Sequence, residues 1–318
     1  MVQVGYKLSS EEHSPRDLVN FASRAEESGF DFAAISDHIH PWIDEQGHSP
    51  FVWSVIGGIA QATSKLSVVT GVTCPTVRIH PAIIAHAAAT ATVMLEGRFT
   101  LGVGSGENLN EHILGDRWPE VDVRLEMLEE AVEVMRRLWS GGLTSHHGKH
   151  YTVENARIYD LPENPPDVAV AASGEKAVEL AGRVGDAMVS LVPEEGIVER
   201  FEKAGGKGKP CYAEISVCWN EDERAARRLA YEQWPITGIK GQLSQELPLP
   251  SHFKQAASMV GEEDAVSTVA CGPDPEVHLA NARQFIDAGY THIWFHQIGP
   301  DQEGFFRFYS KEILPRLR

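Results

Sequence analysis

The stretch LSVVTGVTCPTVRIHPAIIAHAAATATVMLEGRFTLGVGS, residues 66–105, decides the fold. Its opening residues are dominated by Val and Thr, which suit a pleated strand. Pro81 then starts an Ala- and Ile-rich run that ends before Gly97, the start and stop punctuation of a helix. A second β-rich run, FTLGVGS, follows at once. A strand, a helix long enough to cross over and another strand return the chain to the same end of a sheet, so the two strands pair in parallel.

The same unit recurs outward from this stretch. Strands are expected at residues 2–8, 32–38, 66–73, 99–105, 168–172, 187–192, 212–219 and 292–297. Helical runs are expected at 16–27, 81–95, 121–139, 175–184, 194–204, 222–233, 275–288 and 304–314. Ser14-Pro15 and Gly29 bracket the first helix with a cap and a stop. Strands that are apolar throughout, not alternating, suit a sheet buried on both faces. The fold class is therefore α/β, with a (β/α)8 TIM barrel as the simplest closed arrangement and a doubly wound open sheet as the alternative. One barrel domain over residues 1–318 is expected, with insertions at about 39–50 and 234–267. Long loops in such a domain are typically lids or binding loops.

Composition narrows the function. The formal net charge is −17, and no dense Lys/Arg cluster offers a face for nucleic acid or an anionic membrane. No apolar run approaches a membrane span, and MVQVGYKLSS lacks a basic segment followed by an apolar one, so a cytoplasmic protein is expected. Cys74, Cys211, Cys218 and Cys271 show no CxxC spacing and read as unpaired thiols; Cys211 and Cys218 should face opposite sides of a strand. The 14 histidines include His38/His40 and His146/His147, yet neither pair brings a third metal ligand, and no metal is expected. SHHGKH, residues 145–150, reads as solvated turn. The run Gly102-x-Gly104-x-Gly106 falls after three βα units, not one, and no acidic residue closes a following strand, which argues against a dinucleotide fingerprint.

Barrels of this kind place ligand groups at the C-terminal ends of strands. Those ends read Ser36-Asp37-His38, Gly71-Val72-Thr73, Gly104-Ser105-Gly106-Glu107, Ala172-Ser173-Gly174, Leu191-Val192 and His296-Gln297. His38 is a natural proton acceptor near neutral pH. The glycines leave room for a flat ring or a phosphate near the backbone, with Glu107 beside it. Ser173-Gly174 ahead of a helix offers free N–H groups to an anion.

These residues stand in a recognisable pattern. VGYK at 4–7, SDHIHPW at 36–42, TGVTCPTVRIHPA at 70–82, FTLGVGSGENLNE at 99–111, VMRRLWSGG at 134–142, AGRVGD at 181–186 and HIWFHQIGPDQEGF at 292–305 resemble the coenzyme F420-dependent branch of the luciferase-like superfamily, within it the glucose-6-phosphate dehydrogenase group. The resemblance implies a deazaflavin coenzyme in preference to flavin mononucleotide, and usually a homodimer. It implies His38 as the base that takes a hydroxyl proton, Glu107 as the acid at the deazaflavin ring, and Trp42 as a residue steadying the site. It implies coenzyme contacts from Asp37, Gly71, Val72, Cys74, Ser105, Gly106, Asn110, Ala171, Ala172, Ser173 and Gly174, with a non-prolyl cis bond between Gly71 and Val72. The group's sugar-phosphate pocket uses a Thr, two Lys and an Arg. Here the matching positions are Leu191, Glu194 and Lys240, with the Arg position near Ser267, so an uncharged or less anionic hydroxylated substrate, an unphosphorylated sugar or other secondary alcohol, fits better than a sugar phosphate. His296 is expected to face the substrate as well. Reduction of a carbonyl or alkene by the reduced coenzyme, and flavin-dependent oxygenation on the same fold, remain the alternatives.

Overall fold

Every second residue of the strand Gln3–Leu8 (β1), namely Val4, Tyr6 and Leu8, is fully buried among helices, while Lys7 lies on the opposite, inner face. Two-sided burial of this kind repeats through Phe32–Ile35 (β2), Ser67–Thr70 (β3) and Phe99–Val103 (β4). A hairpin, Thr144–His147 (β5) with Thr152–Ala156 (β6), stands apart. The barrel resumes with Asp167–Ala171 (β7), Ala187–Ser190 (β8), Cys211–Cys218 (β9) and, after the two-residue Ala270–Cys271 (β10), His292–Gln297 (β11). In the computed structural model, which describes residues 2–318 except Lys240 and the Glu195 side chain, these strands pair in parallel in the order β1, β2, β3, β4, β7, β8, β9, β11. Met188↔Cys211 and Gln3↔His292 registers close the ring, and β10 adds to the end of β9.

The core has two layers. Outside the ring, strand residues such as Val4, Ile35, Leu101 and Val168 pack with Leu18, Ile84, Leu128 and Phe305 of the surrounding helices. Inside it, Phe32, Val69, Ala169, Val189, Tyr212 and Trp294 fill the barrel. Burying aliphatic and aromatic groups at ~25 cal/mol per Å2 is the main stabilising term here.

Helix Pro15–Ser28 runs from the Ser14 cap, whose hydroxyl accepts from the Asp17 N–H at 3.3 Å, to left-handed Gly29, as its sequence signals predict. Helices Pro81–Met94, Val121–Trp139, Glu175–Val184, Glu223–Gln233 and Pro275–Asp287 also stand where expected. Several expectations need correction. Residues 36–38, 71–73 and 104–105 leave the ladder as the strands turn into the rim. Val52–Ala62 forms a helix that the polar flank of residues 39–51 conceals. The helix expected at 194–204 runs from Glu195 to Phe201 and then breaks at Gly205, whose φ is 111°. SHHGKH belongs to the hairpin: Glu130 accepts the backbone N–H groups of Lys149, His150 and Tyr151 and contacts His146 at 3.1 Å, burying His146 while His147 stays exposed. Residues 234–267 are not an open loop. Among their described residues are the 3-10 turn Pro235–Gly238 and the short helices Leu243–Glu246, Pro250–Ala257 and Glu262–Val266, packed over one side of the barrel end.

All four cysteines are free and buried. No helix among the described residues is long and apolar enough to cross a membrane.

Candidate active site

The loop after β1 and the end of β2 meet first. Ser36 receives the Ser10 N–H at 3.0 Å and donates to Glu11 Oε2 at 2.7 Å. Glu11, 2% exposed, lies 3.4 Å from His38 Nδ1, and the same nitrogen is 3.3 Å from the His40 carbonyl. Burial alone would raise the Glu11 carboxyl. His38, Lys7 and the Ser36 hydroxyl outweigh burial and bring it down to about 2. Glu11 is therefore held as a carboxylate behind the His38 ring, where it orients the imidazole. Nδ1 faces Glu11, and the ring packs edge-on to Trp42 at 5.1 Å.

Asp37 is used by the protein itself. Its Oδ2 accepts from Thr73 Oγ1 at 2.8 Å and its Oδ1 from Arg78 Nη2 at 2.8 Å, with the carboxylate fully buried. Arg78 reaches on to Glu111, whose Oε2 accepts the Arg78 backbone N–H at 2.7 Å and whose Oε1 is 3.5 Å from Arg78 Nε. Burial raises the Glu111 carboxyl, and Arg78 only partly opposes it.

The Gly71–Val72 bond is cis. The Thr73 N–H bonds the Gly102 carbonyl at 2.8 Å, and the Gly104 N–H bonds the Thr73 carbonyl at 3.0 Å. A side chain on Gly102 would run into the Thr70 carbonyl, and a Cβ on Gly104 would come within 2.8 Å of Val72. These two glycines serve the close approach of β4 to the 71–73 turn, chain against chain. Gly106 has φ 83°, and a Cβ there would lie 2.5 Å from Cys74 Sγ. Cys74 is 2.9 Å from Thr76 Oγ1, and burial pushes its thiol well up, so it acts as packing. Ser105 and Glu107 are half-buried, Glu107 standing at the N-cap of helix Asn108–Glu111. Asn110 Oδ1 accepts the N–H groups of Ile39 and His40 at 3.0 and 3.3 Å, while its buried Nδ2 has no partner. A buried amide donor left open is costly unless a ligand takes it.

The β7–β8 side is built differently. The Ala172 N–H bonds the Val189 carbonyl at 2.8 Å, Ala171 ends β7, and Ser173 and Gly174 are exposed. Gly174 is the N-cap of helix Glu175–Val184 and supplies no capping side chain. Leu191 is 64% exposed, and Glu194 is exposed at the N-cap of helix Glu195–Phe201.

His296 does not present a free ring at the mouth. It is 1% exposed, its Nε2 is 2.7 Å from Glu12 Oε2, and the Trp234 ring closes over it at 4.6 Å. Hydrogen bonding and charge from Glu12 outweigh burial and hold this imidazole up. From the same segment Phe253 packs on Trp42 at 5.1 Å. Lys240 lies outside the described residues. Sequence reasoning missed Glu11, Lys7, Glu214, Arg78, Trp234 and Phe253. The Glu11-Glu12 pair just past the first strand was the one available signal.

With this geometry in place, the comparisons are direct. The profile of the luciferase-like monooxygenase family matches residues 1–292, and the chain belongs to that family. Relatives include the F420-dependent glucose-6-phosphate dehydrogenases of Nakamurella multipartita, 35% identical over all of this chain and 97% of theirs, and of Microbacterium testaceum, 34% identical over all of this chain and 98% of theirs. Among solved structures, an F420-dependent secondary alcohol dehydrogenase in complex with an F420-acetone adduct superposes with a TM-score of 0.93 at 28% identity, over 100% of this chain and 99% of that one. The F420-dependent tetrahydromethanopterin reductase of Methanopyrus kandleri shares the fold, with a TM-score of 0.79 at 20% identity over 100% and 99% of the two chains.

Proposed function

We propose that this chain is an F420-dependent dehydrogenase of uncharged secondary alcohols. The observation that carries the reading is His38, at the end of a barrel strand with a buried carboxylate behind its Nδ1. The donors left open on the rim suit a deazaflavin with a phosphate-bearing tail: Asn110 Nδ2 is orphaned, and helix Glu175–Val184 begins without a side-chain cap. Asp37, Gly71, Val72, Cys74, Ser105, Gly106, Asn110 and residues 171–174 would bound that coenzyme. When bound, the deazaflavin supplies a two-electron acceptor. His38 takes the substrate's hydroxyl proton on Nε2, and the Glu11 carboxylate stabilises the imidazolium that results. Glu107 holds or releases a proton on the coenzyme side. Trp42, wedged between His38 and Phe253, keeps water from the ring.

Leu191 and Glu194 carry the substrate reading. An apolar side chain and a carboxylate stand where the glucose-6-phosphate dehydrogenase pattern has a hydroxyl and a cation, and a carboxylate opposes a phosphate dianion. His296, with Glu12 on its Nε2, is assigned no substrate contact. We place the protein in the cytoplasm as one domain and as a homodimer. The support for the dimer is an apolar groove of about 310 Å3 between helices Val52–Ala62 and Pro81–Met94, rimmed by the exposed Phe51 and Ile83.

Titration with the deazaflavin and with flavin mononucleotide in parallel tests the cofactor. Tight binding of the deazaflavin alone, followed by its reduction when a secondary alcohol is added, is expected. Binding of flavin mononucleotide alone with oxygen consumption would overturn the reading.

A further inference from the structure

Beneath the Gly71–Val72 turn, Lys7, Glu214, His296 and Glu12 stand in a row along the inner wall, basic and acidic groups alternating, with Glu214 19% exposed and the other three side chains buried. The Lys7 ammonium is 3.1 Å from Glu214 Oε2, Glu214 Oε1 is 3.9 Å from His296 Nδ1, and His296 Nε2 is 2.7 Å from Glu12. The Trp294 indole N–H also donates to Glu214, at 2.8 Å. Such a ladder is tolerated in a barrel interior because each charge has an opposite neighbour. Lys7 does more than balance Glu214. It donates to the Gly71 carbonyl at 3.1 Å, and a Cβ on Gly71 would sit 3.6 Å from its nitrogen. The ladder therefore meets the backbone of the rim at both ends: Lys7 donates to the Gly71 carbonyl, and Glu12 accepts the Gly299 N–H at 3.4 Å.

We propose that Lys7 is a positioning residue for the coenzyme: its ammonium, held by Glu214, fixes the Gly71 carbonyl from inside the barrel and so sets the 71–73 turn as the wall of the coenzyme site. The proposal rests on the reading above that this turn bounds the deazaflavin. Lys7 touches neither coenzyme nor substrate. It acts on the turn through the Gly71 carbonyl, and its charge also helps hold Glu11 as a carboxylate behind His38.

Lys7→Met alone would leave Glu214 without its cation, so loss of stability and loss of positioning must be separated. The double variant Lys7→Met/Glu214→Gln removes both charges and keeps similar volumes. Three quantities are read on each protein: the deazaflavin Kd by titration, the Tm, and the alcohol KM at saturating coenzyme. The single variant should lose Tm and raise the Kd about tenfold or more, the size of a charge-assisted hydrogen bond. The double variant should recover Tm while the Kd stays raised and the alcohol KM holds. Recovery of both Tm and Kd in the double variant would make Lys7 a counter-ion only and overturn the proposal. Wild-type protein that fails to bind the deazaflavin would instead overturn the functional reading, and this proposal falls with it.

Discussion

From β1 to β4 the barrel rim is built on buried charges set against one another, with the Asn110 amide donor left open among them, whereas beyond β7 and β8 it ends in exposed chain. On the first side Asp37, Arg78 and Glu111 hold one another, and Glu11 holds His38. On the second side Ser173, Gly174, Leu191 and Glu194 all face solvent, and the helix that follows Gly174 has no capping side chain. Buried charges are costly to alter one at a time, because each change strands a partner. Exposed positions change at little cost. On the function proposed above, the chemistry falls where the structure resists substitution and the specificity falls where it does not.

Changes on the buried side should be large. His38→Ala removes the proton acceptor, and kcat should fall by about 100- to 10,000-fold while coenzyme affinity holds. Steady-state kinetics at saturating coenzyme would show this, and unchanged kcat would remove His38 from the chemistry. Arg78→Met leaves the Asp37 carboxylate buried and unpaired, and should cost about 3–5 kcal/mol in denaturant unfolding. A loss below about 1 kcal/mol would mean that Thr73 alone satisfies Asp37.

The next test concerns pH. Glu11 sits at about 2 in the folded protein against an ordinary 4.5, so its contribution is complete above 4.5 and is lost as pH falls from there towards 2. Glu11→Gln should flatten the acid limb of the stability curve across that window and lower kcat by weakening imidazolium stabilisation. An unaltered acid limb would contradict the Glu11–His38 pairing. The smallest effect belongs to the exposed side. Glu194→Lys should improve kcat/KM for a sugar phosphate only a few-fold, since exposed ion pairs contribute about 0.2–1 kcal/mol. A gain of several hundred-fold would show that this half of the rim is more enclosed than its exposure suggests.

The two sides also differ in how far the sequence discloses them. Val/Ile-rich strands and capped helices made the eight-unit order readable, because period and punctuation are local. The strand ends were overrun by two or three residues: Asp37 bonds the Thr73 side chain across the rim, and Thr73 meets β4 only as an isolated bridge to Val103. Helix Val52–Ala62 was hidden by the polar segment before it, and the hairpin by its histidines, whose anchor is Glu130 in a preceding helix. The positions of His38 and Glu107 just past strand ends, and of Trp42 in the loop after His38, were legible in the sequence. Lys7 with Glu214, and Trp234 over His296, pair residues far apart in the chain, and no local pattern announces them. The pairing of His296 with Glu12 was hidden for the same reason, since Glu12 lies at the other end of the sequence.

The most direct test uses a secondary alcohol carrying deuterium on its carbinol carbon, incubated with the protein and oxidised deazaflavin without oxygen. The deuterium should appear on C5 of the reduced coenzyme, with His38→Ala protein slowed by orders of magnitude. Reduced coenzyme lacking deuterium, or no reduction by any uncharged alcohol while glucose 6-phosphate turns over freely, would contradict the account.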